Sequence, residues 1–187
     1  PLANQDSEDR FGYYEGAGTP LMLMDGRVPA PGIGGMLQHV NNAYGALRKS
    51  VDDRIKATSD VQLKVSAVLE KGEIAVEASA VGWPEDKAKR LRLRMALVEN
   101  EVDFLAPNGI RTHAHLVRAM IGGAKGTAVK SGQLAVSTKL SLADLKQSLS
   151  EYLIQFEKNR GVEFAVKPLA LEGLSVVAWV QNDEDHE

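Results

Sequence analysis

Apolar residues recur every three or four positions over residues 36–55 and every second position from residue 61 onward, and that change of period divides the chain. Met36, Leu37, Val40, Tyr44, Leu47, Val51 and Ile55 make one helical stripe that is expected to be buried and to end near Ala57. Beyond Thr58 and Ser59, Val61, Leu63, Val65, Ala67 and Leu69 alternate with Gln62, Lys64 and Ser66. After a Lys71-Gly72 turn, Ile74, Val76, Ala78 and Ala80 alternate with Glu73, Glu77 and Ser79, which predicts a half-buried hairpin. Leu91, Leu93, Met95 and Leu97 are expected to face inward, with Arg92 and Arg94 outward. Pro107-Asn108-Gly109 marks the next turn, residues 112–121 a further strand, and residues 122–132 a glycine-bearing connection. Leu134, Val136, Thr138 and Leu140 resume the alternation. Ser141 then caps a helix carrying Leu142, Leu145, Leu149, Tyr152, Leu153 and Phe156, which Gly161 ends. Residues 174–180 form the last apolar strand.

The first part of the chain is organised around Gly18-Thr19-Pro20. Asn4 followed by Asp6, Glu8 and Asp9 is the start of a short helix reaching Tyr14, because acids suit the positive end of a helix dipole. Gly16 and Gly18 end it. Pro20 opens the run Leu-Met-Leu-Met at 21–24, read as a strand covered on both faces, at a position where a cis X-Pro turn is useful. Asp25-Gly26 is a hairpin signal leading into a second strand, and residues 29–32 break the sheet before the helix.

Composition narrows the function more than it identifies it. The 187 residues can bury a full core, and a formal net charge of -3 offers no concentrated basic surface for nucleic acid. No apolar run approaches membrane-spanning length. The chain has no cysteine, so neither disulfides nor thiolate chemistry arise within it. It opens with Pro1, which suggests a processed product or a fragment, and the acids at 183–187 read as a solvated, frayed tail.

The predicted class is α+β, with residues 1–57 as an α/β segment and 58–187 as an antiparallel β-sandwich carrying a helix at about 141–160. The order helix, Gly18-Thr19-Pro20, strand, Asp25-Gly26, strand, helix resembles the C-terminal portion of a thioredoxin-like domain. The run Arg111-Thr112-His113-Ala114-His115-Leu116-Val117-Arg118 and the later strand from Leu174 to Asn182 are similar to the immunoglobulin-like β-domain of the bacterial Omp28-related, thioredoxin-like exported proteins. The resemblance implies a periplasmic or otherwise extracytoplasmic location. It also implies that Thr19 and Pro20 shape a substrate groove and that any Cys-x-x-Cys pair lies upstream. No catalytic residue and no cofactor carry over. Half a sheet exposes unpaired backbone, so an upstream segment, a second copy of the chain or the β-domain is expected to complete it. The alternative reading is a binding or assembly module with an unknown protein or peptide partner, its thioredoxin-like part serving as a scaffold.

Other patterns point less far. His113 and His115 share a strand face within reach of one metal ion, but neither His39 nor a carboxylate supplies a third ligand at a telling spacing, and no metal site is assigned. Residues 122–127 lack phosphate-loop spacing and no G-x-S-x-G elbow occurs. Tyr13, Tyr14 and Trp83 read as packing residues that could also contact a peptide.

Overall fold

A computed structural model describes residues 1–27, 37–130 and 132–186. The expected second strand after Asp25-Gly26, the break at 29–32 and Met36 therefore lie outside the described residues. The elements are α1 (Gln5–Tyr13), a 3-10 turn (Leu37–His39), α2 (Val40–Arg54), β1 (Gln62–Glu70) and β2 (Glu73–Val81). A 3-10 segment (Glu85–Arg90) leads on to β3 (Leu91–Asp103), β4 (Thr112–Ile121), β5 (Thr127–Ala128), β6 (Leu134–Ser141), α3 (Leu142–Arg160) and β7 (Leu174–Asn182).

The strands form two antiparallel sheets in a mixed α+β structure. One has the order β1-β2-β6; in the other β3 is central, with β7 along one edge and β4 with the short β5 along the other. A shared apolar core joins them: Ile74, Val76, Ala78 and Ala80 of β2 cluster with Leu91, Leu93, Met95 and Leu97 of β3, and Leu145 and Leu149 of α3 join the same cluster. The two-residue periods of β2 and β3 thus place their apolar faces as expected. So do the local signals: Lys71 and Gly72 both take positive φ in the tight β1–β2 turn, Ser141 Oγ accepts from the Asp144 amide at 3.2 Å, and Gly161 ends α3 in the left-handed region.

Three expectations fail. Residues 21–24 form no strand: a single bridge joins Met24 to Arg27 around the Asp25-Gly26 turn, because an apolar tetrapeptide has no ladder without a neighbour to pair with. The stripe of α2 is not buried, with Tyr44 64% and Ile55 75% exposed. On β1 the alternation continues past the core that could cover it: Val61 and Leu63 pack on the shared cluster, whereas Val65, Ala67 and Leu69 are exposed.

The segment α1 is bolted to the β-structure. Asn4 caps it, with Oδ1 accepting from the Ser7 amide at 2.8 Å, and the same side chain donates from Nδ2 to the Val117 carbonyl at 2.8 Å. Asp6 Oδ2 accepts from the Met120 amide at 2.6 Å. These bonds satisfy backbone groups near the C-terminal end of β4, which among the described residues has only β3 as a strand neighbour, so α1 covers part of an edge that would otherwise be open. On the other side of α1, the Tyr152 hydroxyl of α3 donates to Glu8 at 2.5 Å; burial and that bond push the phenol up to about 12.

Candidate functional site

Chemistry is most concentrated where α1, β3, β7 and the C-terminal turn meet. On β3, Arg94 lies on the face opposite the shared core, as its alternation requires, yet it is 1% exposed, because α1 and residues 183–186 cover that face. A guanidinium there needs a counter-ion. Asp183 supplies it: Oδ1 accepts from Arg94 Nη2 at 2.6 Å and from the Tyr13 hydroxyl at 2.9 Å, while Oδ2 lies 3.3 Å from Arg92 Nε. The expected frayed acidic tail is thus corrected for 183–186; a buried arginine holds its first residue in place.

Two cations lie close to the Tyr13 ring. The Arg10 guanidinium is 4.3 Å and that of Arg94 4.7 Å from its ring centroid, an arrangement in which the ring's negative faces offset part of the repulsion between the two charges. Burial and the hydrogen bond to Asp183 push the phenol up to about 12, so at neutral pH it is a donor and not a base. Arg10 also donates to the Tyr14 hydroxyl, and its Nη2 donates to Gln181 Oε1 at 2.8 Å. Burial, with the nearby charge of Arg94 adding to it, lowers the Arg10 pKa. From its other end Gln181 donates to the Tyr14 hydroxyl at 2.9 Å and to the His186 carbonyl at 2.5 Å. The His186 ring packs on Tyr13 and Tyr14, with centroids 4.5 and 5.5 Å apart.

The hairpin turn at 24–27 abuts the same cluster. Gly26 has φ +78, and a Cβ built there would overlap the His186 carbonyl, so this position needs glycine for both backbone and space. Gly26→Ala is expected to lower stability by about 1–2 kcal/mol, read as a lower urea midpoint with an unchanged slope. Asp25 on that turn also lies 3.5 Å from Arg54 of α2. The cluster is therefore a clasp. It holds α1, the turn and the end of β7 together, and it pairs cations with aromatic rings and one carboxylate without presenting a nucleophile beside a base.

Of the residues singled out from the sequence, Tyr13 and Tyr14 fall in the clasp and the others fall elsewhere. Thr19 and Pro20 are exposed in a bend, joined by a cis peptide bond, and lie apart from the two sheets. His113 is half-buried, and its Nε2 lies 2.9 Å from the Phe104 carbonyl; a carbonyl can only accept, so that nitrogen is spent as a donor. His115 sits exposed with φ +51, where the β3–β4 ladder skips a pair. Among the described residues no three His, Asp or Glu gather as a ligand set, and His39 is exposed on the 3-10 turn before α2. Residues 122–127 join β4 to β5, a strand-to-strand connection without the helix that a phosphate loop needs. Tyr13 and Tyr14 pack within the clasp, and Trp83 packs half-buried on the shared core.

A second ionic centre lies inside the β-structure. The side chains of Arg118 and Glu99 are 2% and 4% exposed. Arg118 Nε donates to Glu99 Oε2 at 2.7 Å and Nη2 to the Pro168 carbonyl at 2.5 Å, while Glu99 Oε1 accepts from the Glu172 amide at 3.0 Å. In β4, Arg118 is the extra residue of a bulge: Leu97 pairs with Ala119 and Val98 with Val117, leaving Arg118 unopposed. A bulge re-aims a side chain, here toward Glu99. Beside this pair opens a cleft of about 750 Å³ lined by Glu101, Asp103 and Glu172 and by Lys146 and Lys167, a mixed-charge surface without a nucleophile and base in register. Alternation marks the buried arginines and Asp183 as surface residues. The signal that could have flagged Arg94 is its place directly before the apolar run Met95–Val98 in a strand long enough to be central.

No family model, curated protein or solved structure matches this chain.

Proposed function

We propose that this chain is a binding and assembly module, not a catalyst in itself: the C-terminal portion of a thioredoxin-like protein joined to an immunoglobulin-like β-sandwich. The observation that carries the reading is the uncovered stripe of α2, where Val40, Tyr44, Val51 and Ile55 face solvent beside the unladdered residues 21–24. Leu23 and Met24 meet Val51 and Ile55 only around a shallow hollow of about 400 Å³. A helix with one apolar face and a short extended apolar segment are the parts of an α/β layer that further polypeptide would complete. In the resembled family that polypeptide is the front of the domain with its cysteine pair, and Thr19 and Pro20 would then border the groove for an extended substrate. An extracytoplasmic location goes with the same resemblance.

Ile55→Ala tests the incompleteness directly. In this chain the substitution is expected to change stability by no more than about 0.5 kcal/mol, because the side chain is solvated. In a product that includes the covering polypeptide it is expected to cost about 2–5 kcal/mol. Equal, negligible effects in both would end the reading. Insulin reduction by the longer product then separates the two roles: turnover requires a Cys-x-x-Cys pair in the added segment, and its lack leaves assembly alone.

A further inference from the structure

Of the outer strands β1, β6, β4 and β7, β4 and β1 are treated differently. The edge of β4 is covered at residues 117–120 by Asn4 and Asp6. The edge of β1 facing away from β2 forms no ladder with another strand among the described residues, over nine residues and with Val65, Val68 and Leu69 exposed; β7 packs near β1, with a hollow between Ala67 and Leu69 on one side and Leu174 and Val176 on the other, but does not pair with it. A long, apolar, unpaired edge is a template for another strand.

We infer that β1 is a homodimer interface, pairing antiparallel with β1 of a second copy about a two-fold axis at Ala67, and that Lys64 and Glu70 set this register. The charge pattern selects the occupant. Lys64 and Glu70 lie on the same face of β1, and among the described residues neither has an ion-pair or side-chain hydrogen-bond partner. On β2 the residue opposite Glu70 is Glu73, a like-charge pair that costs stability. Glu73 is relieved by Lys139 of β6 at 3.6 Å, and Glu70 is not. With Ala67 opposite itself, Lys64 of each copy stands directly across from Glu70 of the other. Val65 falls across from Leu69 on the opposite face, so both symmetric halves gain one complementary charge pair and one apolar pair. A one-residue shift about Ser66 would place Lys64 across from Val68 and leave Glu70 across from Gln62. The two three-stranded sheets would become one six-stranded sheet, with the identical patch used on both copies, as closed two-fold symmetry requires.

Two experiments on the purified chain test this. Sedimentation velocity is expected to show a dimer for the wild type. Lys64→Glu and Glu70→Lys should each weaken it roughly ten- to a hundredfold, since each reversal sets two like pairs face to face, and the double swap should restore it. Unchanged far-UV circular dichroism checks that these exposed substitutions leave the fold intact. Because the chain has no cysteine, Ala67→Cys gives a second readout. Directly opposed residues of an antiparallel pair lie within disulfide reach, so Ala67→Cys should form a covalent dimer on mild oxidation, whereas Ser66→Cys, facing Val68, should not. A wild type that stays monomeric at every concentration overturns the inference. So do single reversals as tight as the wild type, or equal cross-linking at positions 66 and 67.

Discussion

Replacing Arg118 with methionine is expected to lower stability by about 3–5 kcal/mol, a large share of what a domain of this size has. The cost comes from what remains. Glu99 would keep one bond, from the Glu172 amide, but its carboxylate would be buried without a counter-charge, and the Pro168 carbonyl would lose its donor. The same change would release the Pro168 carbonyl, one of the contacts that hold residues 168–172 against β3. Urea unfolding followed by far-UV circular dichroism reads the effect. The paired variant Glu99→Gln with Arg118→Met should lose clearly less than Arg118→Met alone, since no isolated charge is left inside. Equal losses would mean that the packing of the arginine stem, and not its charge, dominates.

Asp183→Ala is expected to have the second largest effect, about 2–3 kcal/mol, below the full value for a buried pair because Asp183 is about a third exposed. Its removal leaves Arg94 in the interior with only a long contact of 3.5 Å from Nε to the Ala124 carbonyl, and deprives Tyr13 of its acceptor. The effect also carries a pH signature. Burial raises the Asp183 carboxyl pKa, but hydrogen bonds from Arg94 and Tyr13, with the charges of Arg94 and Arg92, more than offset that and hold it below the usual carboxylate value. A depressed carboxyl contributes stability that is fully present above its unfolded value, near pH 4, and is lost as pH falls through the folded one. The difference in urea midpoint between wild type and Asp183→Ala should therefore be constant from neutrality down to about pH 4–5 and shrink below it. A difference that persists undiminished at pH 2 would show that the carboxylate is not what holds Arg94.

Local rules made much of the β-structure legible. Lys71-Gly72, Ser141 and Gly161 act through their immediate neighbours, and β2 and β3 alternate where a facing layer exists. What a short window cannot contain is the identity of that facing layer. Val65 and Leu69 alternate as well as Ile74 and Val76 do, but both stay exposed: Leu69 only borders a hollow that Leu97, Leu174 and Val176 line from the other sheet. Arg94 alternates as a surface residue should, yet it is covered by a helix from the opposite end of the sequence. Residues 21–24 were legible as apolar but not as unpaired; whether such a run joins a ladder depends on a neighbour that its own sequence does not encode. Among the candidate site residues, Thr19, Pro20, His113 and His115 stood out by type and spacing, whereas the clasp is assembled from positions 10, 13, 94, 181, 183 and 186, which no motif links.

The seal on β4 is made of two side chains near the start of the sequence, and not of a neighbouring strand. It can therefore be lost without any change to the strand itself. Cleavage or local unfolding within the first turn of α1 would bare those backbone groups and give the molecule an adhesive flank, the condition from which ordered aggregates grow.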